Sequence, residues 1–216
     1  MIKPYLTQYL QGLVTIGFNT NSGETLHLVL QTTSILLQLD SAFTTSVAAS
    51  ICSMATMVIL HCPDDPTLFE EALDMFNDLF KIEQCHRLIE RQLLPTIVSI
   101  LSVSPGSSQV QVTFFDASGK VDFKNVSNII SLQPMFLDLL ATLVRQAPIP
   151  LSDILIQQAY PALITCLKSA SKEDTAILQN GSEAVRHFVA KGSEQVITCI
   201  DPETNQNGIM RALNVS

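Results

Sequence analysis

Residues 64–81 read DDPTLFEEALDMFNDLFK. Asp65 is a good N-cap, because its short carboxylate can accept from the free N–H groups of a first helical turn. Pro66 suits the first helical position, where a missing N–H costs nothing. Leu68, Ala72, Met75, Phe76 and Leu79 then recur at helical spacing and form one apolar stripe. Glu71, Asp74 and Asp78 are spaced three and four apart and line another face. The stretch therefore predicts an amphipathic helix with one packed side and one wet, acidic side.

The same period extends in both directions. Upstream, a first helix carries Leu6, Tyr9, Leu10, Leu13 and Ile16. Asn21 with Glu24 forms a candidate capping pair for a second, through Leu26, Leu30, Ile35, Leu37 and Leu39. A third runs from near Phe43 through Val47, Ile51, Met54 and Val58. Downstream, a fifth helix covers about 85–103 with Pro95 inside it, where a kink is expected. Ser131 is the candidate cap of a sixth, through Phe136, Leu139, Leu140, Leu143 and Val144. Ser152 and Asp153 open a seventh, which Pro161 should bend, and an eighth covers about 172–190. A short ninth is expected over 193–200, then the loop DPETNQNG and a helical stub.

Even-numbered helices start near Ser22, Asp65, Ser131 and Lys172, so the steps are 43, 66 and 41 residues. Odd-numbered ones start near Pro4, Phe43, His86 and Ser152, giving 39, 43 and 66. Two helices per roughly 40–47 residues is the HEAT/armadillo period. The anomalous steps overlap at residues 86–131, which places an insertion there. Its core, QVQVTFFDASGKVDFK (109–124), alternates apolar and polar residues around a turn signal. The expected fold is thus an all-α HEAT-repeat solenoid. It comprises repeats over 1–103, an insertion at 104–130 that is hairpin-like or disordered, and repeats continued over 131–216. One helix pair cannot bury its own apolar face, so pairs stack and stability is roughly a nearest-neighbour sum. The expectation is a segment of a longer array.

Composition agrees. Hydrophobic residues make up 47% of the 216 positions, charged residues 15%, and mean hydropathy is +0.31. No apolar run approaches the roughly 18–20 residues needed to cross a bilayer, so no membrane insertion is expected. Five dispersed cysteines, Cys52, Cys62, Cys85, Cys166 and Cys199, read as reduced thiols of an intracellular protein. The net charge of −8 argues against direct nucleic-acid binding and suits basic partners.

The segments DSAFTTSVAASIC (40–52), RQLLPTIVSIL (91–101), LSDILIQQAYPALITC (151–166) and LQNGSEAVRHFVAKGSEQV (178–196) carry more than a period. In order and in helix pairing they resemble the importin-β (karyopherin) family of HEAT-repeat nuclear transport receptors. The resemblance covers residues 1–103 and about 131–210, and matches the middle and later repeats. It implies a receptor that wraps protein cargo in the cytoplasm, passes Phe-Gly nucleoporins, and releases cargo to Ran-GTP in the nucleus. It also implies basic cargo, namely core histones and ribosomal proteins, besides actin. The main Ran surface of such receptors lies in N-terminal repeats outside this segment. Residues 106–130 depart from the family pattern.

Against that background the acidic row Glu71, Asp74 and Asp78 is the candidate basic-cargo contact, since the second helix of each HEAT pair lines the concave surface. The plain alternative is a solvated face with Asp64 and Asp65 complementing the helix dipole. His61-Cys62 and Cys85-His86 suggest zinc, but adjacent helical residues diverge by about 100° and chelate poorly. His27, His61, His86 and His187 lie beside no nucleophile motif, and SGK (118–120) lacks the upstream glycine of a phosphate loop. No catalytic, metal or cofactor site is expected. Asn180-Gly181 within the eighth helix reads as close helix packing. The competing function is a HEAT scaffold outside the transport cycle.

Overall fold

The computed structural model describes residues 5–39, 41–62, 65–103, 109–116, 119–127 and 129–197. The described residues are all-α apart from one two-stranded hairpin, the helical-repeat class the periodicity predicts. It divides into two compact units. One takes in the residues up to Pro95 together with Thr113–Lys124; the other takes Thr96–Val112 and the residues from Asn125 on.

In the first unit, α1 (Leu6–Asn19) and α2 (Gly23–Leu37) form one pair, and α3 (Ser41–His61) and α4 (Pro66–Phe80) the next. α1 packs on α3 and α2 on α4, the pattern of stacked repeats. The α4 cap is as the sequence predicts: Asp65 Oδ1 accepts from the Thr67 and Leu68 N–H groups at 3.1 and 3.2 Å, with Pro66 opening the helix. Replacing Asp65 with alanine should cost about 1 kcal/mol, read as a lower midpoint in thermal melting. One cap assignment in this unit shifts. α2 is capped by Ser22, whose Oγ accepts from Thr25 N–H at 3.3 Å, rather than by Asn21. Thr20, one of several cap-competent neighbours, instead accepts from Ser22 N–H.

α3 is buried on nearly every side. Val47, Ile51, Cys52, Met54, Ala55, Val58 and Ile59 are all closed to solvent, as are Ser53 and Thr56. Thr56 satisfies its hydroxyl on the Cys52 carbonyl at 2.9 Å, a common solution for a buried helical threonine. No helix among the described residues is long and apolar enough to cross a membrane. The outer helices depart from the expected stripes: Tyr9 and Ile16 on α1 and Ile35 and Leu39 at α2 are exposed, while Val14 and Val29 take the buried positions.

α5 (His86–Leu101) follows a short 3₁₀ turn, Glu83–Cys85, and continues through Pro95. Beyond it lies the segment expected to be an insertion. β1 (Gln109–Phe115) and β2 (Val121–Ser127) pair around a turn closed by Asp116 N–H to Lys120 O at 2.9 Å. Gly119 sits at φ +76°, a conformation that favours glycine. An isolated hairpin is marginal in water, but here Val112, Phe114 and Val126 are buried. In the first unit Lys124 Nζ donates to the Leu60 carbonyl at 2.9 Å, capping the C-terminal turn of α3.

The second unit is built on α6 (Ile129–Gln146), α7 (Tyr160–Ser169) and α8 (Thr175–Ile197). α6 starts two residues before Ser131, so Ser131 lies in its first turn and is not the cap. Ile129 and Leu132 are buried in line with Phe136, and packing that stripe outweighs the cap preference. A π-helical turn, Leu155–Ala159, precedes α7 and Pro161. Such a widened turn relieves the contact between a proline ring and the carbonyl four residues back. α8 runs unbroken through Gly192 to Ile197, so no separate ninth helix begins at Ser193. The expected loop and stub after residue 197 lie outside the described residues. Gly181 is buried against α7, where a Cβ would overlap the Leu167 side chain, consistent with the packing role. Asn180 Nδ2 donates to the Pro134 carbonyl of α6 at 2.8 Å.

Candidate functional site

The acidic row of α4 meets a polar row on α2. Glu71 Oε1 lies 2.5 Å from His27 Nδ1 and accepts from Gln31 Nε2 at 3.1 Å. Asp78 Oδ2 accepts from Ser34 Oγ at 2.6 Å and Gln38 Nε2 at 3.3 Å. Its other oxygen accepts from Lys81 Nζ at 2.7 Å. The partners advance together: 71 − 27 and 78 − 34 are both 44, so α2 and α4 run parallel with a 44-residue offset. The second unit repeats the device. Asn180 bonds to Pro134 and Lys191 Nζ to the Arg145 carbonyl, and 180 − 134 and 191 − 145 are both 46. Lys191 also donates to the Ala147 carbonyl at 2.6 Å, so one ammonium caps the end of the neighbouring helix.

These contacts divide the predicted row. Glu71 and Asp78 are 15% and 10% exposed and hold the α2–α4 register. Asp74 faces solvent, as does Glu70 one position before Glu71. The second oxygen of Glu71 is buried without a hydrogen bond among the described residues. Burial pushes the Asp78 carboxyl up, but donation from Lys81, Ser34 and Gln38 outweighs it and holds the group below the usual carboxylate range. A carboxyl depressed by folding contributes stability above its unfolded value, and that contribution is lost as pH falls through the folded value. Asp78→Asn should therefore flatten the fall in stability between about pH 5 and pH 2, measured by denaturant titration at several pH values.

The α2 residues His27, Gln31, Ser34 and Gln38 are the part that inspection of single helices misses. Their steps of four, three and four form a polar seam on an apolar helix. Shifted by the repeat period, that seam falls opposite Glu71 and Asp78.

The remaining histidines and cysteines are structurally engaged. His61 Nδ1 contacts the Met57 carbonyl at 2.9 Å and His86 Nε2 that of Phe80 at 2.5 Å. His187 Nε2 is 3.0 Å from Glu183, which Arg186 also engages. Cys52, Cys85 and Cys166 are buried free thiols and Cys62 is partly buried. Burial pushes all four up, Cys166 to about 11, which keeps them protonated at neutral pH. Cys199 lies outside the described residues. Among those residues no group of three potential ligands is placed to hold a metal.

The seam thus leaves Glu70 and Asp74 as the exposed carboxylates of α4. The chain is similar to importin-9 of Drosophila melanogaster. The two are 26% identical over 191 residues, which is 88% of this chain and 16% of that protein's length. The similarity points to the importin type of nuclear transport receptor, in agreement with the segments that carry the family resemblance. No protein-family model matches the sequence.

Proposed function

We propose that this chain is a segment of a nuclear import receptor, a protein-binding adaptor without catalytic activity. The similarity to importin-9 over 88% of the chain carries the reading. The constant helix offsets of 44 and 46 residues support it, because they are the stacking registers of a repeat array.

The cargo is basic: core histones and ribosomal proteins. A net charge of −8 favours encounter with such proteins, mainly through association rate. Among Glu71, Asp74 and Asp78, Asp74 is the direct contact, since its carboxylate faces solvent. Glu71 and Asp78 add to the field from behind, screened by their α2 partners and Lys81. In the whole receptor the segment shuttles between cytoplasm and nucleus, meets Phe-Gly nucleoporins, and surrenders cargo to Ran-GTP bound chiefly outside it. Pull-down of core histone dimers and of Phe-Gly-repeat peptides separates this from a HEAT scaffold of another kind. Retention of both is expected; retention of neither contradicts the transport reading.

A further inference from the structure

Leu28, Ile35 and Leu39 are 61%, 63% and 60% exposed, although a helix of this kind normally turns such residues inward. At about 100° per residue, Leu28 and Ile35 lie on one line of α2. Leu39 extends it in the closing turn, where its N–H bonds to the Leu36 carbonyl at 3.2 Å. The line is opposite the buried Leu26, Leu30 and Leu37. It stands about 100–120° from the His27–Ser34 seam that meets α4. A further helix stacked on the other side of α2 would meet the flank of Thr25 and Leu36, leaving this line uncovered.

The charge beside it is negative. Glu70 and Asp74 are exposed on α4, and the 44-residue offset sets Asp74 level with Leu30, just above the Leu28 rung. An apolar line and an acidic line thus run side by side along two parallel helices that hydrogen bonds hold in register. Gln31 and Gln38, both exposed, lie between them. A purely basic surface would satisfy only half of this arrangement, and a purely apolar one the other half.

We propose that the α2–α4 surface binds an amphipathic basic helix. Its apolar side chains, repeated at helical spacing, cover Leu28, Ile35 and Leu39, while Lys or Arg on one flank reach Glu70 and Asp74. This rests on the basic-cargo reading and narrows it to cargo that presents such a helix.

The test uses the full 216-residue chain and three labelled synthetic peptides in fluorescence anisotropy. One is an 18-residue Leu/Lys amphipathic helix, one its scramble of identical composition, and one the same helix with Gln for Lys. The amphipathic basic helix should bind about tenfold more tightly than either control. The double variant Leu28→Ser/Ile35→Ser should lose that preference over the scramble, and Asp74→Lys should lose the preference over the Gln peptide. Both variants alter exposed side chains, and circular dichroism would verify that they fold. Equal binding of helix and scramble, with strong salt dependence, would overturn this proposal and leave the basic-cargo reading standing. Equal binding of the Lys and Gln helices would overturn the charged half of it. Binding by none of the peptides would overturn it and remove this surface from the basic-cargo reading as well.

Discussion

Phe188→Ala should destabilise the second unit by about 3–5 kcal/mol. Phe188 is fully buried on α8, and its ring meets that of Tyr160 edge to face, 5.3 Å between centroids. Truncation removes the transfer free energy of the ring, leaves a cavity, and forfeits an aromatic pair worth about 0.5–1.5 kcal/mol. The site collapses poorly. Gly181, two turns earlier, already seats α8 against Leu167, and Asn180 and Lys191 tie the helix to α6. Stability totals of about 5–15 kcal/mol make such a loss severe. Denaturant titration would show a lower midpoint, and hydrogen exchange should place the loss in α6, α7 and α8. Phe188→Leu, which refills most of the volume, should cost markedly less.

Gln133→Glu should cost about 2–4 kcal/mol at neutral pH. Gln133 is buried on α6, and its Nε2 donates to the Ile100 and Val103 carbonyls at 3.2 and 3.3 Å. Those carbonyls lie in the last turn of α5 and just beyond it, where the chain leaves the helix toward the hairpin. Glutamate would strip the donor from both and set an anion against their oxygens. Burial and those dipoles would raise its pKa in the folded state. The penalty is then largest above that raised value and shrinks as pH falls toward the unfolded value of about 4.3, because the protonated acid can donate to one carbonyl. Gln133→Leu removes the donor without adding charge, so it should cost less and show no such recovery. Denaturant titrations of the three proteins at pH 4.5 and pH 7.5 would distinguish them.

Much of the fold is legible in the sequence. Asp65-Pro66 marks its helix start unambiguously because cap and first position agree. The repeat steps single out the hairpin segment because the other steps are 39–43 residues and the two that span it are 66. Period 2 in residues 109–124 gives a true hairpin, since no helical stripe competes with it. The misses have specific causes. Ser131 looks like a cap, but the apolar line of α6 continues back to Ile129, and burial outweighs a capping bond. The break expected between residues 190 and 193 does not occur, since the glycine there, Gly192, costs only about 1 kcal/mol in a helix and α8 runs on. Ile35 and Leu39 look like core on hydropathy, and nothing within α2 alone tells which neighbours cover which side.

The candidate site was half legible. The acidic row is visible within α4, whereas its partners lie 40 and 44 residues away on α2. Only the repeat offset connects them. That connection changes the chemistry, because Glu71 and Asp78 are occupied in holding two helices together and Asp74 alone of the three is left exposed.

Titrating core histone dimer into the chain at 50 mM and 300 mM salt, with Asp74→Lys beside the unsubstituted protein, tests the basic-cargo function most directly. Saturable binding at low salt, weaker at high salt and weaker again in the variant, is the predicted result, because the Debye length that screens exposed charge pairs falls from about 14 Å to about 6 Å between those two salts. No binding at low salt, or binding indifferent to both salt and Asp74→Lys, would contradict it.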